Sequence, residues 1–122
     1  LLVALERDLW VLMAELATDA ENAHKLVDGT SRVTAAMVQA LEQQIDDVSG
    51  RFEPPTEFVV PGESVVSAQL DVARTVIRRA ERVSIRAAAP GSHVVPYLNR
   101  LSDLVWTLAR WQEGHSLITR DA

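Results

Sequence analysis

The sequence has no cysteine, which excludes a disulfide framework and a thiolate metal site. It has no apolar run near the roughly 18 residues of a membrane span, and no signal peptide is visible, so we expect a cytoplasmic protein with no membrane partner. Its net charge of −5 argues against general nucleic-acid binding, which needs a broad basic face. It also lacks a glycine-rich phosphate loop, a Ser/His/Asp set and a catalytic carboxylate pair. An enzyme built from this chain must therefore take its reactive group from a substrate or a cofactor.

The pattern of apolar residues predicts an all-α fold. The 122 residues are enough for one domain with its own core, so we treat 1–122 as a single helical-bundle domain. Apolar residues recur every three to four positions in four segments, with no strand-like alternation and no internal repeat. The predicted helices cover about 1–18, 30–50, 65–86 and 96–113, with Thr30 or Ser31 as the cap of the second. Connections of this length are typical of an up-down bundle of four helices.

The segments between and after the helices contain the helix-breaking residues. Gly50 is expected to end the second helix in a left-handed conformation. Residues 57–62 are predicted to be extended and to turn at Pro61 and Gly62, because the nearby prolines exclude a continuous helix. The tail, residues 116–122, is expected to be frayed.

Glu21 and His24 form a single Glu-x-x-His element in the first connection. Di-iron helix bundles use this element twice, together with glutamates from two further helices. No second copy and no matching glutamate pair is present. We therefore interpret this pair as a coincidence on the surface and expect no protein-bound metal.

The predicted helix from Val65 to Arg86 has two apolar sides. One stripe contains Val66, Leu70, Ala73, Ile77 and Ala80, and the other contains Val65, Val72, Val76 and Val83. A monomer of four helices leaves one such side in contact with water. The two stripes therefore predict that the chain assembles into an oligomer.

This helix also contains five of the eleven arginines of the chain, namely Arg74, Arg78, Arg79, Arg82 and Arg86. Only one glutamate lies among them, so the stretch from Arg74 to Arg86 has a net charge of +4 in a chain whose net charge is −5. Two explanations remain open. Acidic side chains elsewhere in the assembly neutralise the arginines, or an anion binds between them, because guanidinium groups bind phosphate bidentately.

Two further polar residues belong to this candidate site. Glu81 is free to orient an arginine or to hold a metal-bound phosphate. Asn99 lies near the start of a mainly apolar helix, where a buried amide must find a hydrogen-bond partner. Asn99 either makes a cap or loop contact or supplies a neutral donor and acceptor beside Arg78 and Arg82.

Three motifs occur in order along the chain: FVVPG, RTVIRRAER and YLNRLSDLVWTLAR. With LWVLMAELAT near the start and ALEQQID in the second helix they cover nearly all of the chain, which resembles the PduO-type ATP:corrinoid adenosyltransferases. The resemblance implies a five-helix bundle that forms a homotrimer with its sites between subunits. It implies an enzyme that transfers the 5′-deoxyadenosyl group of ATP, bound with Mg²⁺, to cob(I)alamin and releases triphosphate. Reduced cobalt is then the nucleophile, and an adenosylcobalamin-dependent enzyme is the acceptor of the product.

The resemblance also assigns roles to particular residues. Arg78 is expected to contact and stabilise the ATP phosphates, with Arg79, Glu81 and Arg82 in the same ATP-binding segment and Asn99 as a further ATP contact. Phe58 matches the aromatic residue that lies against the corrin and keeps water from the cobalt. Arg74 matches an arginine that pairs with an aspartate across the subunit interface.

The chain departs from the family pattern in two places that concern the site. The threonine- and glycine-rich nucleotide loop of the family and its first helix are absent, so we expect an N-terminally incomplete domain with part of the ATP contacts missing. Glu63 follows Pro61 and Gly62 where relatives have glycine, and it is expected to reshape the loop on the corrin side.

Two alternatives to the enzyme stay open at this point. One is a non-catalytic protein that binds a corrinoid. The other is a structural helical trimer in which the arginines are matched by the acidic helix around Glu42, Asp46 and Asp47.

Overall fold

The computed structural model describes all 122 residues and is all-helical, as predicted. Helix α1 is Leu2–Leu16, α2 is Ala35–Ser49, α3 is Val65–Ala87 and α4 is Val94–Glu113. Two short 3-10 helices lie at Ala20–Lys25 and Thr119–Asp121, and the only β-type contacts are two isolated bridges. None of these helices combines the length and the apolar character needed to cross a membrane.

Helix α4 lies at the centre of the structure and packs against both α2 and α3. Its predicted inner stripe is buried, and it consists of Leu98, Leu101, Val105 and Leu108. Helix α1 adds Leu5, Val11 and Leu12 to the same hydrophobic cluster. Burying each such side chain contributes about 1.5–3 kcal/mol. The remaining elements are therefore held in place mainly by their contact with α4.

Hydrogen bonds also connect helix α1 to α4, to the loop before α4 and to the segment before α2. The Tyr97 hydroxyl donates to Asp8 at 2.9 Å. Burial raises the pKa of Tyr97 far above its ordinary value, and the nearby Asp8 carboxylate raises it further, because a phenolate there would lose its hydration and face a like charge. The Glu15 carboxylate accepts hydrogen bonds from the backbone N–H of Val33 at 2.8 Å and from the Ser92 hydroxyl.

The predicted ends of α2 were wrong in two respects. Thr34 caps the helix, with its hydroxyl accepting a hydrogen bond from the backbone N–H of Met37 at 3.2 Å. Ser31 instead accepts from the backbone N–H of Val27, so it belongs to a turn before the helix. Gly50 ends α2 with φ −74° and ψ −10°, which is right-handed. The cap differs because the Thr34 hydroxyl lies directly before the first turn of α2. The end differs because the chain continues at Gly50 in a right-handed turn.

Helix α3 faces α4 with a more polar surface than its apolar spacing predicted. Its buried residues are Ser67, Glu81 and Ser84, with Leu70, Ile77 and Ala80 partly buried against the core. Val66 and Ala73 are exposed, so the predicted inner stripe was wrong at these two positions. The reason is that the side of α3 that meets α4 includes the buried polar residues. The second stripe is uncovered within one chain and consists of Val65, Val72, Val76 and Val83.

The segment before α3 is extended, as predicted, and it pairs with the C-terminal tail. The backbone N–H of Val60 donates to the carbonyl of Leu117, and that of Thr119 donates to the carbonyl of Phe58, both at 2.8 Å. The Glu63 carboxylate accepts from the backbone N–H of Leu117 at 3.1 Å. The tail is therefore not frayed, because the segment around Phe58 provides its hydrogen-bond partners.

Candidate functional site

Two polar links join α3 and α4 at opposite ends of their interface. Near the connecting loop, the Asn99 amide donates to Glu81 at 3.0 Å. Far from the loop, the Arg110 guanidinium donates to Asp71 at 2.7 Å. Because the position on α3 falls as the position on α4 rises, the two helices are antiparallel. The candidate site lies along this interface.

Asn99 is the centre of a hydrogen-bond network. Its carbonyl oxygen accepts from two nitrogens of Arg100, at 3.2 and 2.7 Å. Arg100 in turn forms a salt bridge with Asp103 at 2.6 Å. Asn99 is therefore neither a helix cap nor a loop contact, because its side chain bridges α3 and its own helix. Glu81, which is only 9 % exposed, receives the amide of Asn99 and does not orient an arginine.

The five arginines of α3 have no carboxylate partner within the chain. None of Arg74, Arg78, Arg79, Arg82 and Arg86 takes part in any of the six salt bridges or in any side-chain hydrogen bond. All except the half-buried Arg74 are exposed. Neutralisation by carboxylates of the same chain is therefore excluded as the explanation of the cluster.

The acidic helix α2 does not pair with these arginines either. Asp47 forms its salt bridge with Arg51, one turn further along the chain, at 2.7 Å. Neither Glu42 nor Asp46 takes part in a salt bridge. The proposed match between the acidic helix and the arginines does not occur inside one subunit.

The arginines form a row along α3. Arg74, Arg78 and Arg82 are four residues apart, so each step is about 6 Å along the helix axis. At about 100° per residue, Arg78 and Arg82 lie on the side of the helix next to Glu81. The same rule places Arg79 about 160° away from Glu81. Arg74 is about 20° from Glu81 by the same rule but lies about two turns away along the axis. Arg78 and Arg82 are therefore the arginines of this side that lie nearest to the pair of Glu81 and Asn99.

A cavity of about 770 Å³ opens at the Arg74 end of this row. Its wall includes Phe58, Arg74, Trp106 and Arg110. The Phe58 side chain is 90 % exposed, although its backbone is fixed by the hydrogen bond to Thr119. An exposed aromatic side chain on a fixed backbone beside a cavity is typical of a binding surface.

Arg110 supports the inner wall of this cavity. It is 2 % exposed and is paired with Asp71 at 2.7 Å and with Glu113 at 3.0 Å. Its guanidinium lies 5.7 Å from the centre of the Trp106 ring, within the range of a cation–π contact. Its Nε is buried without a hydrogen-bond partner. The arginine thus fixes α3, α4 and an aromatic wall residue relative to one another.

The structure brings together most of the residues expected from the sequence. Phe58 and Arg74 line one cavity, and Arg78 and Arg82 continue from Arg74 towards the pair of Glu81 and Asn99. Arg79 lies on the far side of α3 from that pair.

Sequence reasoning missed the pairing of Arg110 with Asp71 and the place of Trp106 in the cavity wall. One signal was present, namely an arginine within a mainly apolar helix, because a buried charge needs a partner.

The chain offers no ready-made metal site. Glu21 and His24 are both exposed in the first 3-10 helix. No group of three or more histidine, aspartate or glutamate side chains is arranged to hold a metal ion. A divalent ion at this site would need ligands from a bound phosphate and water.

The sequence model of the family described as cobalamin adenosyltransferase matches residues 1–112. The chain belongs to this family. It is 42 % identical to a corrinoid adenosyltransferase of Citrobacter freundii over 113 residues, which cover 90 % of this chain and 62 % of that protein. It is 34 % identical to the corrinoid adenosyltransferase PduO of Salmonella typhimurium over 117 residues, or 93 % of this chain and 34 % of that protein. The chain therefore spans less than two thirds of these relatives.

A solved structure supports the fold assignment. It is a variant of the PduO-type ATP:corrinoid adenosyltransferase from Lactobacillus reuteri complexed with cobalamin and ATP, and it has a TM-score of 0.65 to this chain. The match covers 95 % of this chain and 79 % of that chain at 20 % sequence identity. At that identity the likeness establishes the helical fold of the family and no more.

Proposed function

We propose that this chain acts as an ATP:corrinoid adenosyltransferase, which moves the 5′-deoxyadenosyl group of ATP to cob(I)alamin. In this reaction a cobalt–carbon bond forms at C5′ while the bond from C5′ to the phosphate oxygen breaks, and triphosphate leaves with the electron pair. The observation that carries the proposal is the row of arginines on α3 that no carboxylate of the chain neutralises. Membership of the cobalamin adenosyltransferase family gives that row its most direct use.

The phosphate end of the proposed site consists of Arg78, Arg82 and Asn99. Guanidinium groups bind phosphate oxygens with charge-assisted hydrogen bonds and stabilise the charge that develops on a leaving triphosphate. Arg79 belongs to the same ATP-binding segment but points away from Asn99, so we expect it to contribute less. ATP enters as its Mg²⁺ complex, with the metal held by phosphates and water, since the chain provides no cluster of metal ligands.

The corrin end of the proposed site is the cavity beside Phe58. The exposed ring offers an apolar surface against which a flat macrocycle packs. An apolar side chain near the lower face of the corrin excludes water from the cobalt, which favours a weakly ligated and more reducible metal. Because Arg74 lines this cavity and Arg78 follows one turn later, the corrin and the phosphates would lie side by side.

We also propose a homotrimer with sites between subunits. The exposed valine stripe of α3 is a suitable interface, since it leaves Val65, Val72, Val76 and Val83 in water in a single chain. Arg74 is available to pair with an aspartate of a neighbouring subunit, because it forms no salt bridge within its own chain. An adenosylcobalamin-dependent enzyme would receive the product. Sedimentation equilibrium measures the assembly directly, and a monomer at working concentration would contradict this part.

The activity is tested with the full-length protein, ATP and chemically reduced cobalamin, by following the absorbance change as adenosylcobalamin forms. Losing one charge-assisted contact costs about 1.5–3 kcal/mol, so Arg78→Ala should lower turnover at least tenfold. Arg51→Ala is the matched control, because Arg51 is an exposed arginine outside the site. Equal turnover in the wild type and Arg78→Ala would remove the phosphate role.

The same assay separates the two alternatives. A non-catalytic corrinoid-binding protein would bind cobalamin and show no ATP-dependent spectral change. A structural helical trimer would show no rise in melting temperature with either ligand, because only a ligand that binds the native state stabilises it.

A further inference from the structure

The hydrogen bonds of Asn99 leave one position of its side chain unused. A carboxamide has two N–H donors and two acceptor lone pairs on its oxygen. Arg100 occupies the oxygen with two donors, and Glu81 accepts one N–H. The remaining position is a single N–H, so Asn99 can offer a ligand only a donor.

The orientation of this amide follows from the chemistry of its two partners. An ionised carboxylate only accepts hydrogen bonds and a guanidinium only donates them. Turning the amide by 180° would place its NH₂ group against Arg100 and its oxygen against Glu81, and both contacts would become repulsive. Glu81 and Arg100 therefore lock Asn99 in one orientation.

We propose that Glu81 is a positioning residue that acts through Asn99 and holds its free N–H towards an acceptor oxygen of the nucleotide phosphates. This inference rests on the proposed function for its ligand. It changes the role expected for Glu81 from the sequence, which was to orient an arginine or to hold a metal-bound phosphate.

Three observations favour this role over the two expected ones. Glu81 forms no salt bridge with Arg78 or Arg82, although both are close to it on the same helix. It belongs to no group of side chains that could hold a metal ion. It is buried, and its carboxylate accepts the N–H of Asn99 across the interface at 3.0 Å, so a ligand would meet the amide before the carboxylate.

The first test is a double-mutant cycle on the dissociation constant of MgATP, measured by titration calorimetry with the full-length protein. We expect Glu81→Ala to weaken binding roughly three- to tenfold and Asn99→Ala to weaken it about tenfold, which is the range that the loss of one hydrogen bond produces. The double variant should bind no more weakly than Asn99→Ala alone, because the glutamate has nothing left to orient. If Glu81→Ala weakens binding further in the Asn99→Ala background, the residue acts independently of Asn99 and the inference is wrong.

The second test compares Glu81→Gln with Glu81→Ala. The carbonyl oxygen of glutamine still accepts the Asn99 N–H, so most of the lost affinity should return without the negative charge. If Glu81 instead paired with an arginine or a metal, its charge would be needed, and Glu81→Gln would bind MgATP as weakly as Glu81→Ala. Melting temperatures of all variants show whether each is folded.

A third measurement does not depend on nucleotide binding. In a ¹⁵N spectrum of the wild type, the side-chain NH₂ signals of Asn99 are identified by their loss in Asn99→Ala. We expect Glu81→Ala to shift these signals and to speed their hydrogen exchange, and Glu81→Gln to leave them near their original position. Signals unchanged in Glu81→Ala would overturn the positioning role even if MgATP binds. Failure of the wild type to bind MgATP would instead count against the proposed function.

Discussion

At one end of the interface between α3 and α4, Arg110 is 2 % exposed and is held by both Asp71 and Glu113. Further along α3, Arg78 and Arg82 are exposed and have no carboxylate partner in the chain. Arginine therefore occurs in two different environments on this pair of helices. The buried arginine has its charge neutralised inside the protein, whereas the exposed ones keep theirs available.

This difference separates a structural charge from a binding charge. A guanidinium taken out of water needs paired carboxylates, since leaving it unpaired costs several kcal/mol. A guanidinium in water bears no such cost and stays free to meet an anion. Arg110 therefore fixes the position of α3 relative to α4, and the exposed arginines of α3 are free to bind a ligand.

Replacing the buried arginine should have the largest effect on stability. Arg110→Met leaves Asp71 and Glu113 without their positive partner, and breaking a buried pair in this way costs about 3–5 kcal/mol. Urea unfolding followed by tryptophan fluorescence or circular dichroism measures the free energy of unfolding.

The control for this variant is Arg51→Met. Arg51 and Asp47 form a salt bridge of the same length, 2.7 Å, but their side chains are 52 % and 58 % exposed. The median worth of such a surface pair is about 0–1 kcal/mol. Equal losses of stability in Arg51→Met and Arg110→Met would show that burial does not distinguish the two classes of arginine.

Replacing the exposed arginines should affect binding and leave stability nearly unchanged. Arg78→Ala should weaken the binding of inorganic triphosphate, the proposed product, by about 1.5–3 kcal/mol, or at least tenfold. Arg79→Ala should weaken it several-fold less, because Arg79 lies on the far side of α3 from Asn99. Titration calorimetry at two salt concentrations checks both values. A larger loss in Arg79→Ala would place the phosphates on the other side of the helix.

Much of the fold was predictable because periodicity records which side of a helix is buried. The stripe of α4 that includes Leu98 and Leu101 was predicted correctly, since leucine at helical spacing has few other uses. On α3 the same rule gave Val66 as an inner residue, and it is exposed. The rule failed there because Ser67 and Ser84 occupy the buried row, and polar residues do not contribute to an apolar pattern.

The candidate site was predictable only as a set of residue types. The clustering of Arg78 and its neighbours is visible in the sequence, and so is the unusual Asn99. The partners of these residues are not visible, because the pairing of Glu81 with Asn99 depends on the register between two helices. The register also decides that Asp71, rather than any residue close in sequence, neutralises Arg110. The hydrogen bonds of the tail to the segment around Phe58 are equally non-local.

Tyr97 is a buried hydrogen-bond partner of a carboxylate, like Arg110, but it carries no positive charge. We therefore expect its replacement to have the smallest effect of those considered. Its hydroxyl donates to Asp8, so Tyr97→Phe should lower the free energy of unfolding by about 1 kcal/mol near neutral pH.

The pH dependence gives a second and more specific test of this contact. Burial raises the pKa of Tyr97 in the folded protein above the ordinary value of 10.0, so the unfolded chain releases the phenolic proton first as the pH rises. The stability that this shift contributes is complete below about pH 10 and is lost progressively above it. The free energy of unfolding, measured with urea between about pH 8 and pH 11, should therefore fall more steeply with rising pH for the wild type than for Tyr97→Phe. Because Tyr97 is the only tyrosine of the chain, its ionisation in the folded protein can be followed separately by absorbance. A phenol that titrates at its ordinary pKa in the folded protein, with parallel stability curves for the two proteins, would show that this contact between α1 and α4 is open to water.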